Sequence, residues 1–154
     1  MNHRWAILCS NASVDKDSNG LSLFNLIEEM QIGVRGSAPP SLDTPLVAPL
    51  QSVLVIVNER SDSEKVESGT GRVRFIDPDG NELGTNLFKI ELADHERMRT
   101  LMRFQNMSLT SSGLYKFIIE YQGDNGEWEE KDVVPLKVSI DFTPSSEDTD
   151  PQSH

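Results

Sequence analysis

The pattern of this chain predicts an all-β fold, with antiparallel strands stacked as a sandwich in a single domain. Apolar residues come in short runs of Val, Ile, Leu and Phe, separated by clusters of Gly, Pro, Asn, Asp and Ser, the texture of strands and turns. Side chains alternate strictly in two places: Tyr115, Phe117, Ile119 and Tyr121 against Leu114, Lys116, Ile118 and Glu120, and then Val134, Leu136, Val138, Ile140 and Phe142. A period of two means that one face of each strand is buried. A parallel α/β arrangement needs helices between its strands, and no such helices are read here. The length of 154 residues suits one domain with its own core. We expect the sandwich at residues 1–142 and an acidic, disordered tail at 143–154.

Residues 3–10 form the first strand, and the near-continuous apolar stretch Trp5-Ala6-Ile7-Leu8-Cys9 suits a position covered on both faces. A polar turn from Asp15 to Gly20 leads to residues 21–35, where Met30, Ile32 and Val34 alternate with Gln31, Gly33 and Arg35. This reads as a strand with a bulge near Asn25, because a helix would lack a stop signal before the alternation starts; an amphipathic helix over residues 21–30 is the alternative. Pro39, Pro40, Pro45 and Pro49 withhold backbone donors, so residues 36–49 are expected as an extended crossover between sheets. Residues 53–57 are the most β-branched run. Beyond a polar loop at 60–71 comes the strand 72–76, and these two are expected to pair antiparallel.

In Asp77-Pro78-Asp79-Gly80-Asn81, proline presets φ and glycine supplies a positive φ, which closes a hairpin onto residues 83–92. After a turn at Asp94-His95-Glu96, Met98, Thr100, Met102 and Phe104 face inward while Arg97, Arg99, Leu101 and Arg103 make a mostly basic outer face. Gly123-Asp124-Asn125-Gly126 turns the chain into the last strand. Seven or eight short strands with turn signals between them are the expectation for an immunoglobulin-like antiparallel β-sandwich.

Ser111-x-Gly113-x-Tyr115-x-Phe117 resembles the tyrosine corner of immunoglobulin-like domains, with Phe117 where antibody domains place a cysteine. The chain is also similar to a family of small bacterial proteins of unknown function. The likeness rests on Ala6, Leu8 and Cys9, on Leu21 to Phe24, on Asp77 to Gly80, and on Gly113 with Tyr115. That resemblance implies a β-sandwich and supplies no catalytic residues.

A formal net charge of -11 repels phosphate backbones and anionic membranes, so neither nucleic acid nor a membrane is an expected partner. The apolar run at residues 5–9 is too short for a signal-peptide core, and no segment is long and apolar enough to span a bilayer, which reads as cytoplasmic. One cysteine makes no intramolecular disulfide framework. No cofactor is called for, and no nucleophile stands beside a base, which points away from an enzyme.

The remaining candidates are weighed by residue. Asp15-Lys16-Asp17-Ser18-Asn19-Gly20 matches the first half of a calcium loop, but Leu26 stands where the bidentate carboxylate belongs, so a hairpin turn is expected. Asp77, Asp79 and Asn81 are read in the same way. Arg72, Arg74, Arg97, Arg99 and Arg103 would form one basic face if their two strands shared a sheet, suited to an acidic or phosphorylated partner; cross-strand pairing with Glu82, Glu91 or Glu120 is the plainer account. Trp128, flanked by glutamates, is expected to be exposed and to add to this interaction face, or else to pack across the hairpin from Tyr121. Cys9 is expected in the core, and His3, His95 and His154 at the surface. The function expected is non-catalytic binding or assembly with another protein or a second copy, and the alternative is a ligand- or calcium-binding accessory domain that uses the Asp-rich turns.

Overall fold

In the computed structural model, which describes residues 1–61 and 67–145, the chain is one all-β domain of two sheets with no helix among the described residues. The strands are β1 (Asn2–Val14), β2 (Leu21–Leu26), β3 (Glu29–Gly36), β4 (Leu46–Glu59), β5 (Ser68–Ile76), β6 (Glu82–Glu91), β7 (Arg97–Leu109), β8 (Gly113–Gln122) and β9 (Trp128–Pro144). The four-stranded sheet has the order β2-β1-β4-β7 and the five-stranded sheet β3-β9-β8-β5-β6. Among the described residues every pairing is antiparallel except β3 with β9, which run parallel.

Nine strands among the described residues, rather than seven or eight, arise because residues 21–35 are two strands, not one. Asn25 has φ 52, a left-handed conformation that asparagine tolerates, and the chain then changes sheets within two residues. The Ile27 amide donates to the Leu8 carbonyl of one sheet at 2.9 Å, while the Glu28 carbonyl accepts from the Lys137 amide of the other at 3.0 Å. The irregularity expected at Asn25 is thus the point of a sheet switch. The proline-bearing segment after β3 crosses back to the four-stranded sheet, and β4 begins at Leu46, with a register shift between Pro49 and Ser52.

The expected pairing of residues 53–57 with 72–76 does not form. β4 lies between β1 and β7, and β5 between β6 and β8, in the opposite sheet. The reason is burial on both faces of β4, where Val53 to Val57 are at most 2 % exposed. Leu54 and Ile56 point into the core between the sheets, together with Leu8, Ile90, Leu109, Ile119 and Leu136. Val53, Val55 and Val57 point the other way and join Cys9 and Ala12 in a second cluster, against which Trp5, Leu21, Leu23 and Leu101 pack. A sheet with an apolar cluster on its outer face must curl to cover it, and one sheet of this fold is curled.

The turns follow the sequence closely. Gly80 has φ 90 in the β5–β6 turn and Gly126 has φ 81 in the β8–β9 turn. The Tyr115 hydroxyl accepts from the Thr110 and Ser111 amides at 2.9 and 3.1 Å and donates to the Ser111 carbonyl at 2.6 Å. β9 continues to Pro144, two residues past the expected end of the sandwich; residues 146–154 of the expected tail, His154 included, lie outside the described residues.

Candidate functional site: the outer face of strand β7

The five arginines do not form one face. Arg72 and Arg74 stand on β5 and Arg97, Arg99 and Arg103 on β7, in different sheets. The two on β5 are engaged by the Glu120 carboxylate of the neighbouring β8: Arg72 through Nε, and Arg74 through Nη2 at 3.1 Å. Glu120 is 7 % exposed, and a carboxylate so buried requires such partners. Trp128 is half-buried rather than exposed, because its ring packs on the Arg72 guanidinium, 4.3 Å from Cζ to centroid. It lies opposite Gln122 in the ladder, not opposite Tyr121.

The β7 arginines do line up. The ladder turns Met98, Met102 and Phe104 toward the main core, while Leu101 packs with the second cluster on the outer face. Arg97, Arg99 and Arg103 share that outer face by period two. Arg99 Nη1 donates to the Asn19 carbonyl of the β1–β2 turn at 2.8 Å. Arg103 reaches Asn11 Oδ1 and the Ala12 carbonyl, both at 3.4 Å. These bonds run from β7 across the concave face, over the second cluster, to β1 and the β1–β2 turn.

At one end of this concavity opens a groove of about 960 Å³, bordered by Arg60, Arg97 and Arg99, by Glu59 and Glu96, and by His95. Val14, Met98 and Leu101 supply its apolar surface. Arg60 is held by the Leu92 and Ala93 carbonyls. Arg97 is more than half exposed and meets Glu59 at 3.5 Å, a carboxylate that Arg4 also approaches at 3.2 Å. His95 and Glu96, neighbours in the chain, are both exposed at the groove's border, His95 at the surface as expected. A second, smaller space of about 140 Å³ lies between β6 and β7, lined by Phe75, Phe104 and Phe117 with Leu83, Gly84 and Met107.

The structure also assembles residues that the sequence scatters. His3, expected at the surface, is turned inward: its Nδ1 lies 2.8 Å from the Tyr121 hydroxyl and its Nε2 2.7 Å from Asp132 Oδ2. The Tyr121 hydroxyl donates to Asn58 Oδ1. The four residues tie β1 and β4 of one sheet to β8 and β9 of the other. Burial raises the Tyr121 pKa, and the nearby Asp132 charge adds to the rise. Tyr121 is 3 % exposed, and the chain of bonds links the two sheets. Alternation along β1 places His3 on the outer face with Trp5; a register shift between these two residues reverses it.

In the Asp-rich turns the first carboxylate of each, Asp15 and Asp77, accepts from backbone amides of its own turn. Asp15 Oδ1 accepts from the Asp17 and Ser18 amides at 2.8 and 3.0 Å. Asp77 accepts from the Asp79 and Asn81 amides, and its other oxygen accepts from Asn81 Nδ2 and the Thr110 hydroxyl. Burial pushes the Asp77 pKa up, and these hydrogen bonds outweigh it, so the carboxyl sits below its ordinary range. Among the described residues no three His, Cys, Asp or Glu side chains gather in a metal-binding group. Cys9 is fully buried, and that burial raises its thiol pKa.

No protein-family model matches this chain, and no curated protein matches it.

Proposed function

We propose that this chain is a non-catalytic binding module, an immunoglobulin-like sandwich that holds an acidic segment of a partner protein against the outer face of β7. The observation that carries this reading is the groove bordered by Arg97 and Arg99 on a protein whose net charge is -11. Elsewhere the positive groups described above are engaged: Arg72 and Arg74 share a buried carboxylate. Arg97 by contrast meets Glu59 at the edge of ion-pair distance and stays more than half exposed. A guanidinium in this state keeps donors for an incoming carboxylate. The immunoglobulin-like assignment is supported by the Tyr115 corner and by the two stacked sheets.

The test is binding of a fluorescein-labelled peptide rich in glutamate, followed by anisotropy, to the wild type and to a variant carrying Arg97→Glu and Arg99→Glu. Two rim charges reversed should weaken binding by about tenfold or more and flatten its dependence on salt. Equal affinity in the two proteins would refute the assignment of this face.

A further inference from the structure

Among the described residues, β7 ends the four-stranded sheet and pairs with β4 alone. Along its 13 residues, half of the backbone N–H and C=O groups therefore point away from the sheet, a ready template for another strand. Across the gap, β6 ends the five-stranded sheet in the same way. Between these two edges lies the space of about 140 Å³, whose walls combine the rings of Phe75, Phe104 and Phe117 with the polar residues Asn86, Asn106 and Ser108. A volume of about 150 Å³ is large enough to take a benzene molecule, so this space has the capacity for a single aromatic or aliphatic side chain laid on its phenylalanine wall.

Building on the function proposed above, we infer that the open edge of β7 receives the acidic partner segment as an added strand, with acidic side chains outward and one apolar side chain seated between β6 and β7. The two faces of β7 specify the pattern. Outward, Arg97, Arg99 and Arg103 stand two and four residues apart, with Leu101 between the last two, and an added strand presents its own side chains two residues apart and about 5 Å away. Inward, Phe104 borders the cavity, and it directly follows Arg103 in the chain. The segment therefore alternates acidic residues, and its apolar anchor neighbours the acidic residue that faces Arg103. Main-chain bonds give the affinity, and the alternate side chains give the selection.

Two peptides of one composition separate strand addition from simple charge attraction. One alternates glutamate with threonine and carries a single phenylalanine next to its last glutamate; the other gathers its glutamates in a row. Binding is read by anisotropy and by amide hydrogen exchange along β7. The alternating peptide should bind about tenfold tighter and slow exchange in β7. Gly84→Leu fills the cavity from β6: Gly84 pairs with Phe75 and so shares its inward face, and an added Cβ there meets nothing within 4 Å. That variant should lose affinity for the phenylalanine peptide and keep its affinity for a version with alanine in that place. If both peptides bind equally and Arg97→Glu with Arg99→Glu weakens both, acidic docking stands and strand addition is refuted. If neither binds, both readings fall.

Discussion

Tyr121 sits where two sheets meet, with His3 and Asn58 sharing one hydroxyl. Removing that oxygen leaves a buried imidazole nitrogen and a buried amide oxygen without their partner, and each such group costs about 1–3 kcal/mol when it is left unsatisfied. Tyr121→Phe should therefore lower unfolding stability by about 2 kcal/mol, measured by urea denaturation, although the ring volume and its edge contact with Phe88 are kept. A loss below about 0.5 kcal/mol, the range of ordinary surface substitutions, would mean that the bond chain contributes nothing as a tie. The Asn58 Nδ2 has no hydrogen-bond partner among the described residues, so the tie already tolerates one imperfect member.

Among the elements, β5 shows how a glycine can organise a neighbouring strand. Gly71 stands directly opposite Phe88 of β6, and the ring lies where a β-carbon on Gly71 would be. This bare stretch of backbone lets Phe88 fold over β5 and meet Tyr121, 6.3 Å away and nearly perpendicular. Gly71→Ala must displace the ring and should destabilise by about 1–3 kcal/mol, as overpacking does. Gly33→Ala on β3 is the control, since nothing lies within 4 Å of its added carbon; thermal melts should place it within about 0.5 kcal/mol of the wild type. Gly113 makes a different demand: its φ of 144 and the closeness of Pro78 to an added carbon lock the start of β8 against the β5–β6 turn.

On the scale of the whole molecule, the four-stranded sheet serves two apolar clusters, one on each face. Trp5, Leu21, Leu23 and Leu101 pack on the outer cluster, and Arg99 and Arg103 reach across to the β1–β2 hairpin. Cys9, fully buried in that cluster, reports on the curl. Its thiol should react with a maleimide only through opening events, and Arg99→Ala with Arg103→Ala should speed the reaction about tenfold for each 1.4 kcal/mol of lost closure. An unchanged rate would show that the apolar contacts alone hold the curl. The same sheet leaves β7 at its open edge, so one arrangement explains both the covered cluster and the exposed arginines.

Outside residues 21–35, the sequence by itself determined the strands and turns, because period-two burial and the Asp77–Asn81 and Gly123–Gly126 turn chemistry are local properties. It also marked Tyr115 as a corner and the outer face of β7 as basic. Sheet membership was decided only by the tertiary structure: residues 53–57 and 72–76 have equal claim to pair, and it is burial on both faces of β4 that separates them. The switch at Asn25, the inward turn of His3 and the division of the arginines between two faces follow from that choice. A strand offers the same hydrogen-bonding edges to any neighbour, so long-range pairing is settled by which arrangement buries the apolar faces together, and no local spacing encodes it.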